Sequence, residues 1–381
     1  MKISFLCFDL SDNSLGRAAL LARTLARHHR VELVGPAKQE KIWYPMQDLD
    51  LPVKSFPWKR YPAFVPTLRQ ILRAIDGDIL FACKLRPTSF GVGLLKKWVS
   101  GKPLLVDIDD WELGFFYRAG FWGRVGRFLN FSNPNGLPHT WLMEKLVNFA
   151  DGITVSNGFL QARFSGTLLY HCRDTSLLDP DKFDKDRAKE KLGVKNKKVV
   201  MFLGTPRAHK GVDDLVEAVN KMDDPDVRLV IIGAENGLES LQGYCRAKED
   251  QLVLLPMIPF RDLPRHLAAA DVVVIPQRKT SDTVGQMPAK IFDAMAMAKP
   301  IVSTRVSDIP DVLGDCGYLV EPGNVQQLAE AMNHVFNHPE EALCKGKKAR
   351  ERCIARYDIK VMEKQLLELV EKIRSKTKCR L

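Results

Sequence analysis

Short apolar runs alternate with segments of helical spacing along the whole chain. Near the start, "KISFLCF", "GRAALLARTLARHH" and "RVELVG" predict a strand, a helix and a second strand within about 35 residues. The later runs "DILFAC", "PLLVDID" and "GITVS" are each separated by enough residues for a crossover helix. Strands joined in this way form a parallel sheet that is buried on both faces.

A second series of the same kind begins near residue 197. Its predicted strands are "KVVMFLG", "RLVIIG", "QLVLLP", "DVVVIP" and "PIVST", and one predicted helix runs from Pro288 to Lys299. Proline is tolerated in a first helical turn because its missing N–H would have no partner there. The tail carries apolar residues at helical spacing, which predicts a terminal helix: Ile359, Met362, Leu366, Leu367 and Val370.

The two series are separated by a polar, charged stretch that contains an Asp-Pro turn signal. A chain of 381 residues also exceeds the size at which a single core keeps growing. We therefore predict an α/β protein with two Rossmann-like domains whose parallel sheets face a cleft. The expected parts are a first domain at 1–168, a linker at 169–196, a second domain at 197–355 and a C-terminal helix at 356–381 that packs back toward the first domain.

The positive charge of the chain is concentrated in its first half. The formal net charge is +11, and residues 1–170 hold 22 Lys and Arg against 14 Asp and Glu. This excess predicts an anionic partner for the first domain, such as a phospholipid surface, a lipid-linked phosphate or a nucleic acid. A solvated basic face would give the same count.

Several features bear on the cellular compartment. Apolar runs such as "DVVVIP" fall far below the ~18 residues of a membrane span, and the opening "MKISFLCFDLSDNS" lacks the cleavage pattern of a signal peptide. The eight cysteines form no Cys-x-x-Cys pair, which argues against a zinc site and a disulfide framework. We expect a cytoplasmic protein.

The first candidate binding segment is "FLGTPRAHKG", residues 202 to 211. Here a predicted strand breaks at Gly204 into a basic turn just before a helix. Ligands of open parallel sheets bind at the carboxyl ends of strands, where helix N-termini attract anions. Arg207 and Lys210 would add full charges for a diphosphate, although a solvated basic loop would look the same. The segment is not a P-loop, because Gly-x-x-x-x-Gly-Lys-Ser/Thr is absent.

The second candidate segment is "GQMPAKIFDAMAMAKPIVS", residues 285 to 303. The amides of Gly285, Gln286 and Met287 are expected to face a phosphate at the start of the following helix. Asp293 can accept hydrogen bonds from a ribose diol, as acids do in other nucleotide sites. The alternative for Lys290 and Asp293 is an ordinary surface ion pair at i, i+3.

Taken together, these segments resemble the C-terminal domain of the retaining glycosyltransferases with the GT-B fold, family 4. The resemblance extends from about 197 to 335 through "GTPRAHKGVDDLVEAV", "VRLVIIGAENG", "LLPMIPFRDLPRHLAAADVVVIP", "PAKIFDAMAMAKPIVST" and "IPDVLGDCGYLVEPGNVQQLAEAM". It implies that Lys210 and Arg207 hold the diphosphate of a nucleotide sugar. It also implies that the base lies against the backbone at Met257 and Ile258.

The chain departs from the family pattern at several donor-site positions. Thr205 follows Gly204 where the family usually has arginine, so Arg207 is the expected substitute. The family carries two glutamates with seven residues between them; Asp293 aligns with the second, and Gly285 stands at the position of the first. Asp282 is the nearest acid to that position. Some members have a Pro-x-Lys arrangement instead, which Pro288 and Lys290 resemble.

The first half is similar to the family only in outline. Gly16 lies where members place a glycine-bearing loop near the donor phosphates, and Asp109 and Asp110 stand where many have a His-Asp pair. The resemblance implies that Asp109 binds a hydroxyl of the donor or acceptor; capping of the next helix by one of these acids is the alternative. "DID" also resembles the Asp-x-Asp metal motif of the other large glycosyltransferase fold. Three acids this close need a positive neighbour or raised pKa values, and we expect no metal requirement.

One further segment, residues 114 to 131, places seven aromatics among arginines in "GFFYRAGFWGRVGRFLNF". Rings with arginines are typical of an element that lies on an anionic membrane surface. A lid or core helix beside the acceptor is the alternative. Aromatics with basic residues also suit single-stranded nucleic acid, but no nucleic-acid module is recognisable, and we expect no nucleic-acid partner.

The resemblance implies a retaining hexosyltransferase. It would take a nucleotide diphosphate sugar as donor, act on a glycan or lipid-linked acceptor, and serve the synthesis of cell-surface polysaccharide or glycolipid. The catalytic residues are expected to be Lys210, Arg207 and Asp109, with no cofactor. Two alternatives stay open: a UDP-sugar epimerase of the same architecture, and a non-catalytic member that binds a membrane or a protein partner.

Overall fold

The structure is a computed structural model that describes residues 1–39, 41–117, 120–234 and 251–378. Its described residues form two compact units. The first contains residues 1–170, 284–287 and the chain from 360 onward, and the second contains 171–283 and 288–359.

The first unit is built on a seven-stranded sheet in which every pairing is parallel. Its strands are β1 (Lys2–Leu6), β2 (Arg30–Ala37), β3 (Val53–Pro57), β4 (Ile79–Cys83), β5 (Leu104–Ile108), β6 (Gly152–Val155) and β7 (Thr167–Leu168). Their spatial order is β3-β2-β1-β4-β5-β6-β7. The chain therefore changes direction across the sheet between β1 and β4, and this switch point is where such sheets bind ligands.

Helices connect these strands and cover the sheet. They are α1 (Leu15–Ala26), α2 (Phe64–Ala74), α3 (Val92–Ser100), α4 (Glu112–Tyr117), α5 (Phe121–Phe128), α6 (Leu137–Lys145) and α7 (Gly158–Phe164). The central strands β4 and β5 are buried at every position. This explains why their sequences are continuous apolar runs rather than alternating ones.

The second unit repeats the plan with six parallel strands. They are β8 (Lys198–Leu203), β9 (Val227–Ile232), β10 (Leu252–Leu255), β11 (Val272–Ile275), β12 (Ile301–Thr304) and β13 (Tyr318–Val320), in the order β10-β9-β8-β11-β12-β13. The switch point here lies between β8 and β11. The prediction of two Rossmann-like domains with parallel sheets is confirmed.

The helices of the second unit differ in part from the sequence-based expectation. They are α8 (Lys185–Lys191), α9 (Val212–Met222), α10 (Leu263–Ala268), α11 (Lys290–Ala296), α12 (Ile309–Leu313), α13 (Val325–Asn337) and α14 (Pro339–Tyr357). The helix predicted from Pro288 to Lys299 is shorter, and begins at Lys290. It ends before Ala298, whose φ of 51° is left-handed and cannot continue a right-handed helix.

The stretch predicted as a linker, residues 169–196, lies almost entirely inside the second unit, which starts at His171. The Asp184 side chain caps α8 by accepting from the Arg187 amide. Lys189 in turn donates to the carboxylate of Asp271 at 2.7 Å. The stretch that the sequence predicts as a linker is therefore part of the second unit, where ion pairs and a helix cap stabilise it.

The terminal helix α15 (Ile359–Lys378) belongs to the first unit from residue 360 onward. Its buried side chains Met362, Leu366 and Val370 follow the helical spacing of the sequence. Met362 Sδ lies 3.7 Å from the Thr24 hydroxyl of α1, so the two helices pack directly.

Candidate active site

The loop that follows β8 brings two lysine ammonium groups to one glycine. Gly204 has a φ of 102°, a backbone conformation that L side chains rarely adopt. A Cβ atom built on Gly204 would lie 3.6 Å from Lys210 Nζ and 3.7 Å from Lys290 Nζ. The two lysines therefore flank the same point at the carboxyl end of β8.

The positive charges of both lysines are poorly balanced by negative groups, and their pKa values are lowered. Burial, together with the nearby charge of Arg207, lowers the pKa of Lys210 to about 8. Burial and the charge of Lys210 lower the pKa of Lys290 well below its ordinary range, against the opposing effect of Asp293. Within the described residues, no carboxylate oxygen lies within ion-pair distance of either ammonium group. Such a pair attracts an anion that would restore their charge balance.

Each lysine side chain contacts β8 or the loop that follows it. Lys210 Nζ donates to the carbonyl of Thr205 at 2.9 Å, and Lys290 Nζ lies 4.0 Å from the centre of the Phe202 ring. Lys290 does not form an ion pair with Asp293, which was the alternative to a binding role for these two residues. Arg207 is exposed in the same loop.

A neighbouring loop after β11 holds this basic loop in place. The Arg278 amide donates to the carbonyl of His209 at 3.0 Å, and the Arg278 guanidinium binds Asp214 of α9 through two hydrogen bonds of 2.8 and 2.6 Å. Gly211 has a φ of 68°, and a Cβ there would lie 1.9 Å from the carbonyl oxygen of Pro276. Only glycine fits where these loops meet.

Asp282, the acid nearest the position of the missing first glutamate, is fully buried in this loop. Its carboxylate accepts from the Thr280 hydroxyl at 2.5 Å and lies 3.9 Å from His209 Nδ1. The contacts of Asp282 thus stabilise the loop in which it lies. Its role toward a donor sugar stays a prediction.

Asp293 is bound by an arginine that the sequence reading did not single out. The Arg173 guanidinium donates to both carboxylate oxygens of Asp293, with Nη2 3.0 Å from Oδ2. It also donates to the carbonyl of Ala289 at 3.2 Å. Asp293 is 4% exposed, so the pair lies inside the second unit. That Asp293 binds a ribose stays a prediction. A ribose hydroxyl would have to share the Asp293 carboxylate with Arg173.

Met257 and Ile258 follow β10 at the edge of the same sheet. Both are half-buried. The predicted donor residues of the second unit therefore all follow strands or begin the helix α11, as expected for an open parallel sheet.

Gly285, Gln286 and Met287 lie in the first unit, although they are close in sequence to Lys290. Gln286 forms an antiparallel bridge with Asp110 and donates from Nε2 to its carboxylate at 3.0 Å. A Cβ on Gly285 would lie 2.6 Å from Trp111 Cβ, so glycine allows this close approach. Their expected role as phosphate ligands stays a prediction.

A buried lysine stands at the centre of the acidic strand end of the first unit. Lys84 Nζ lies 2.8 Å from Asp109 Oδ1, 2.5 Å from Asp110 Oδ2 and 3.2 Å from Glu112 Oε1. Burial works against its charge, but the three acids outweigh it and raise the pKa of Lys84 well above its ordinary value. The backbone of Lys84 is left-handed, with a φ of 75°, a strained conformation for lysine.

Two acids of this strand end, Asp109 and Glu112, have pKa values shifted in opposite directions. Burial, reinforced by Asp110 and Asp107 and opposed by Lys84, raises the pKa of Asp109 to about 7. Arg86 binds Glu112, and this contact with that of Lys84 outweighs burial and lowers the pKa of Glu112. The carboxylates of Asp109, Asp110 and Glu112 lie within 4.8 Å of one another, as metal ligands do. Because Lys84 lies between them, the site already contains a cation.

Asp107 has a separate partner. The Arg17 guanidinium, one residue after Gly16 in α1, binds it at 2.9 and 3.1 Å, and the Thr154 hydroxyl donates to it at 2.7 Å. The acids of "DID" thus serve ion pairs. The sequence indicated the need for positive neighbours. However, Arg17 lies in α1, Lys84 and Arg86 lie in the loop after β4, and none of them belongs to a local motif.

The aromatic segment after this strand end is exposed where it is described. In and after α5, Trp122 is 81% exposed, and Phe128, Leu129 and Phe131 are also exposed. No helix of the described chain is both long and apolar enough to cross a membrane.

Residues 197–338 match the family model for glycosyl transferases group 1. A GDP-mannose-dependent alpha-(1-6)-phosphatidylinositol monomannoside mannosyltransferase of Mycolicibacterium smegmatis is 26% identical over 60% of this chain and 64% of its own length. Alpha-maltose-1-phosphate synthase of the same species is 31% identical over 48% of this chain and 50% of its own length. The chain thus spans between 50% and 64% of these relatives.

Among solved structures, Anabaena HepE in complex with UDP-glucose aligns with a TM-score of 0.77 over 98% of this chain and 100% of that chain, at 17% identity. At this identity the likeness shows the fold, which is that of the GT-B glycosyltransferases. The predicted resemblance to this family is confirmed for residues 197–338, most of which lie in the second unit.

Proposed function

We propose that this protein transfers a hexosyl unit from a nucleoside diphosphate sugar to a glycan or lipid-linked acceptor, with retention of anomeric configuration. The observation that carries the proposal is the pair of desolvated lysines at Gly204, Lys210 and Lys290. It lies at the switch point of the second sheet, where ligands of such folds bind. The curated relatives are named for transfer from sugar nucleotides or for sugar-phosphate synthesis, which supports the same class of reaction.

The lysines suit a diphosphate better than a neutral ligand. Two half-buried ammonium groups this close repel each other, and a dianion between them would remove that repulsion and raise both pKa values. Arg207, exposed in the same loop, adds a third positive charge at the rim. In this arrangement the protein itself neutralises the phosphate charge, which supports a reaction without a required metal.

The same charges would drive the chemical step. When the bond between the anomeric carbon and the phosphate oxygen breaks, negative charge develops on the leaving diphosphate beside Lys210 and Lys290. Preorganised donors at such a position are worth roughly 3 kcal/mol each in the transition state. The acceptor oxygen bonds to the anomeric carbon on the same face, and its proton passes to the departing phosphate oxygen. No separate general base is needed for this balance.

Asp109 would bind a hydroxyl group of the acceptor or donor sugar. Lys84 fixes its carboxylate, and its pKa of about 7 leaves it partly ionised at neutral pH. We assign the acceptor to the first unit, which carries the positive excess, and an anionic membrane surface to the exposed rings of α5.

A thermal-shift panel of UDP, GDP and ADP and their sugars, with and without EDTA, tests the donor site. A ligand at 100 times its Kd adds about 2.7 kcal/mol of stability. We expect one diphosphate to raise the melting temperature equally with EDTA, and Lys210→Gln to abolish the shift. Lys279→Gln is the matched control, because Lys279 is exposed on the neighbouring loop.

Product analysis then separates the activities that share this fold. Sugar transfer that depends on an added acceptor supports the proposal. Conversion of a UDP-sugar to its epimer without an acceptor would identify an epimerase. If none of these diphosphates or their sugars binds, the result counts against the proposed enzyme and favours the non-catalytic alternative.

A further inference from the structure

We infer that a pocket in the first unit, next to the acid cluster around Lys84, binds a saccharide that carries an acidic group. As the acceptor site, this pocket rests on the proposed function. Its volume is about 480 Å³, within the range for a small ligand. Its lining is Phe8, Lys38, Trp58, Arg60, Arg86, Phe116, Asn133 and Asn135.

The position of the pocket is that of a ligand site. Phe8 follows β1, Lys38 follows β2, Trp58 follows β3 and Arg86 lies just beyond β4. The pocket thus covers the carboxyl ends of four adjacent strands and includes the switch point of the first sheet. Loops at this edge come together because all the strands are parallel, although they are far apart in sequence.

Aromatic rings and cations alternate along its wall. Lys38 Nζ lies 5.4 Å from the centre of the Phe8 ring and 5.6 Å from that of Trp58. On the other side, Arg86 Cζ lies 5.5 Å from the Phe8 ring and 5.1 Å from that of Phe116. Flat apolar faces beside fixed positive charges fit a sugar ring with an anionic substituent.

The pocket lining carries three cations, and only two of them have a carboxylate partner among the described residues. This excess of positive charge favours an anionic ligand. Lys38 is paired with Asp9 at 3.1 Å, and Arg86 is paired with Glu112. Arg60 donates to the Ser132 hydroxyl at 3.2 Å, and it has no carboxylate partner in the part of the chain that the structure describes. One cation of the wall is therefore available for a ligand carboxylate or phosphate.

Polar groups for the rest of a sugar are also present. The Trp58 indole N–H is buried and has no acceptor among the described residues. Asn133 and Asn135 add amide groups to the lining. Hydroxyl groups of a saccharide could pair with these donors and acceptors, which a purely hydrophobic ligand would leave unsatisfied.

The test is a titration of the full-length protein, by ligand-observed NMR, with glucuronate, glucose 6-phosphate, neutral glucose and inorganic phosphate. We expect at least one of the two acidic sugars to bind saturably and more tightly than glucose and phosphate. Glucuronate alone would identify a carboxylate, and glucose 6-phosphate alone would identify a phosphate. Arg60→Gln should weaken binding about five- to tenfold, as loss of a charged hydrogen bond does.

Lys59→Gln is the matched control, because Lys59 is exposed in the same loop and does not line the pocket. Trp58→Leu should also weaken binding, while circular dichroism checks its fold. Equal binding of glucose, equal affinity of Arg60→Gln and the wild type, or no saturable binding of either acidic sugar would overturn the inference. The nucleoside diphosphate panel is independent of these outcomes, so a failure of the donor site and a failure of this pocket can be told apart.

Discussion

Lys84 Nζ donates to the carboxylate of Asp109 at 2.8 Å, and both groups are almost completely buried. With Asp110 and Glu112 also close to the ammonium, the lysine lies where a divalent cation would lie in a three-carboxylate site. A protein side chain thus supplies the positive charge among these carboxylates.

Replacement of Lys84 by methionine should destabilise the protein and create a cation site. Breaking a buried ion pair costs about 3 to 5 kcal/mol, because the remaining charges are left uncompensated. We expect urea unfolding to show this loss at pH 7, and Mg²⁺ or Mn²⁺ to restore part of it in the variant but not in the wild type. Equal cation effects on both proteins would contradict this account of Lys84.

The affinity for a nucleoside diphosphate should depend on the protonation of Lys210. Because its pKa is about 8 without ligand, the lysine loses its charge above that pH and binding should weaken as pH rises through 8. Arginine keeps its charge throughout this range. Calorimetric titrations from pH 6.5 to 9.5 should therefore show a steeper loss for the wild type than for Lys210→Arg. Parallel profiles would argue that Lys210 does not contact the diphosphate.

Lys210 should also reduce the stability of the unliganded protein. The unfolded chain holds this proton up to its ordinary pKa of 10.5, whereas the folded protein releases it near 8. The penalty is therefore complete below pH 8, and the free energy of unfolding should rise with pH between 8 and 10.5. Lys210→Met should stabilise the free protein at pH 7 by on the order of 1 kcal/mol while it weakens diphosphate binding. Destabilisation by this variant in urea unfolding would count against the charge repulsion at Gly204.

The Arg173 and Asp293 pair allows the ribose prediction to be separated from a structural role. Asp293→Asn and Arg173→Met should each lower the free energy of unfolding by about 3 to 5 kcal/mol, and the double variant should lose less than the sum. If Asp293 also accepts hydrogen bonds from ribose, the wild type will prefer the bound diphosphate to its 2′,3′-dideoxy analogue, and Asp293→Asn will lose that preference. Retained preference in Asp293→Asn would assign the carboxylate to Arg173 alone.

Membrane association should depend on the exposed rings of α5. Trp122 is 81% exposed and Phe128 49% exposed, and rings of this kind insert at headgroup depth. We expect the double variant Trp122→Ser, Phe128→Ser to lose flotation with vesicles that contain phosphatidylglycerol. Trp98→Ser is the control, since Trp98 is 56% exposed on α3 of the same unit. Flotation that survives the double variant, or that Trp98→Ser abolishes equally, would remove α5 as the contact.

Much of the fold could be predicted from the sequence, because its determinants are local. Apolar runs such as "DILFAC" and "DVVVIP" mark strands that are buried on both faces, and their spacing leaves room for helices between parallel neighbours. The glycine at 204 and the lysine at 210 were recognisable for the same reason, since a strand, a turn and a helix start lie within ten residues of one another.

The tertiary structure alone decided which charges meet. Arg17 reaches Asp107, Lys84 reaches Asp109, and Arg173 reaches Asp293 over separations of 90, 25 and 120 residues. The same is true of the pocket formed by Phe8, Trp58 and the other residues that follow strands of the first sheet. Parallel strands align their carboxyl ends at one edge, so residues distant in the chain become neighbours, and no local pattern of residues records which of them will touch.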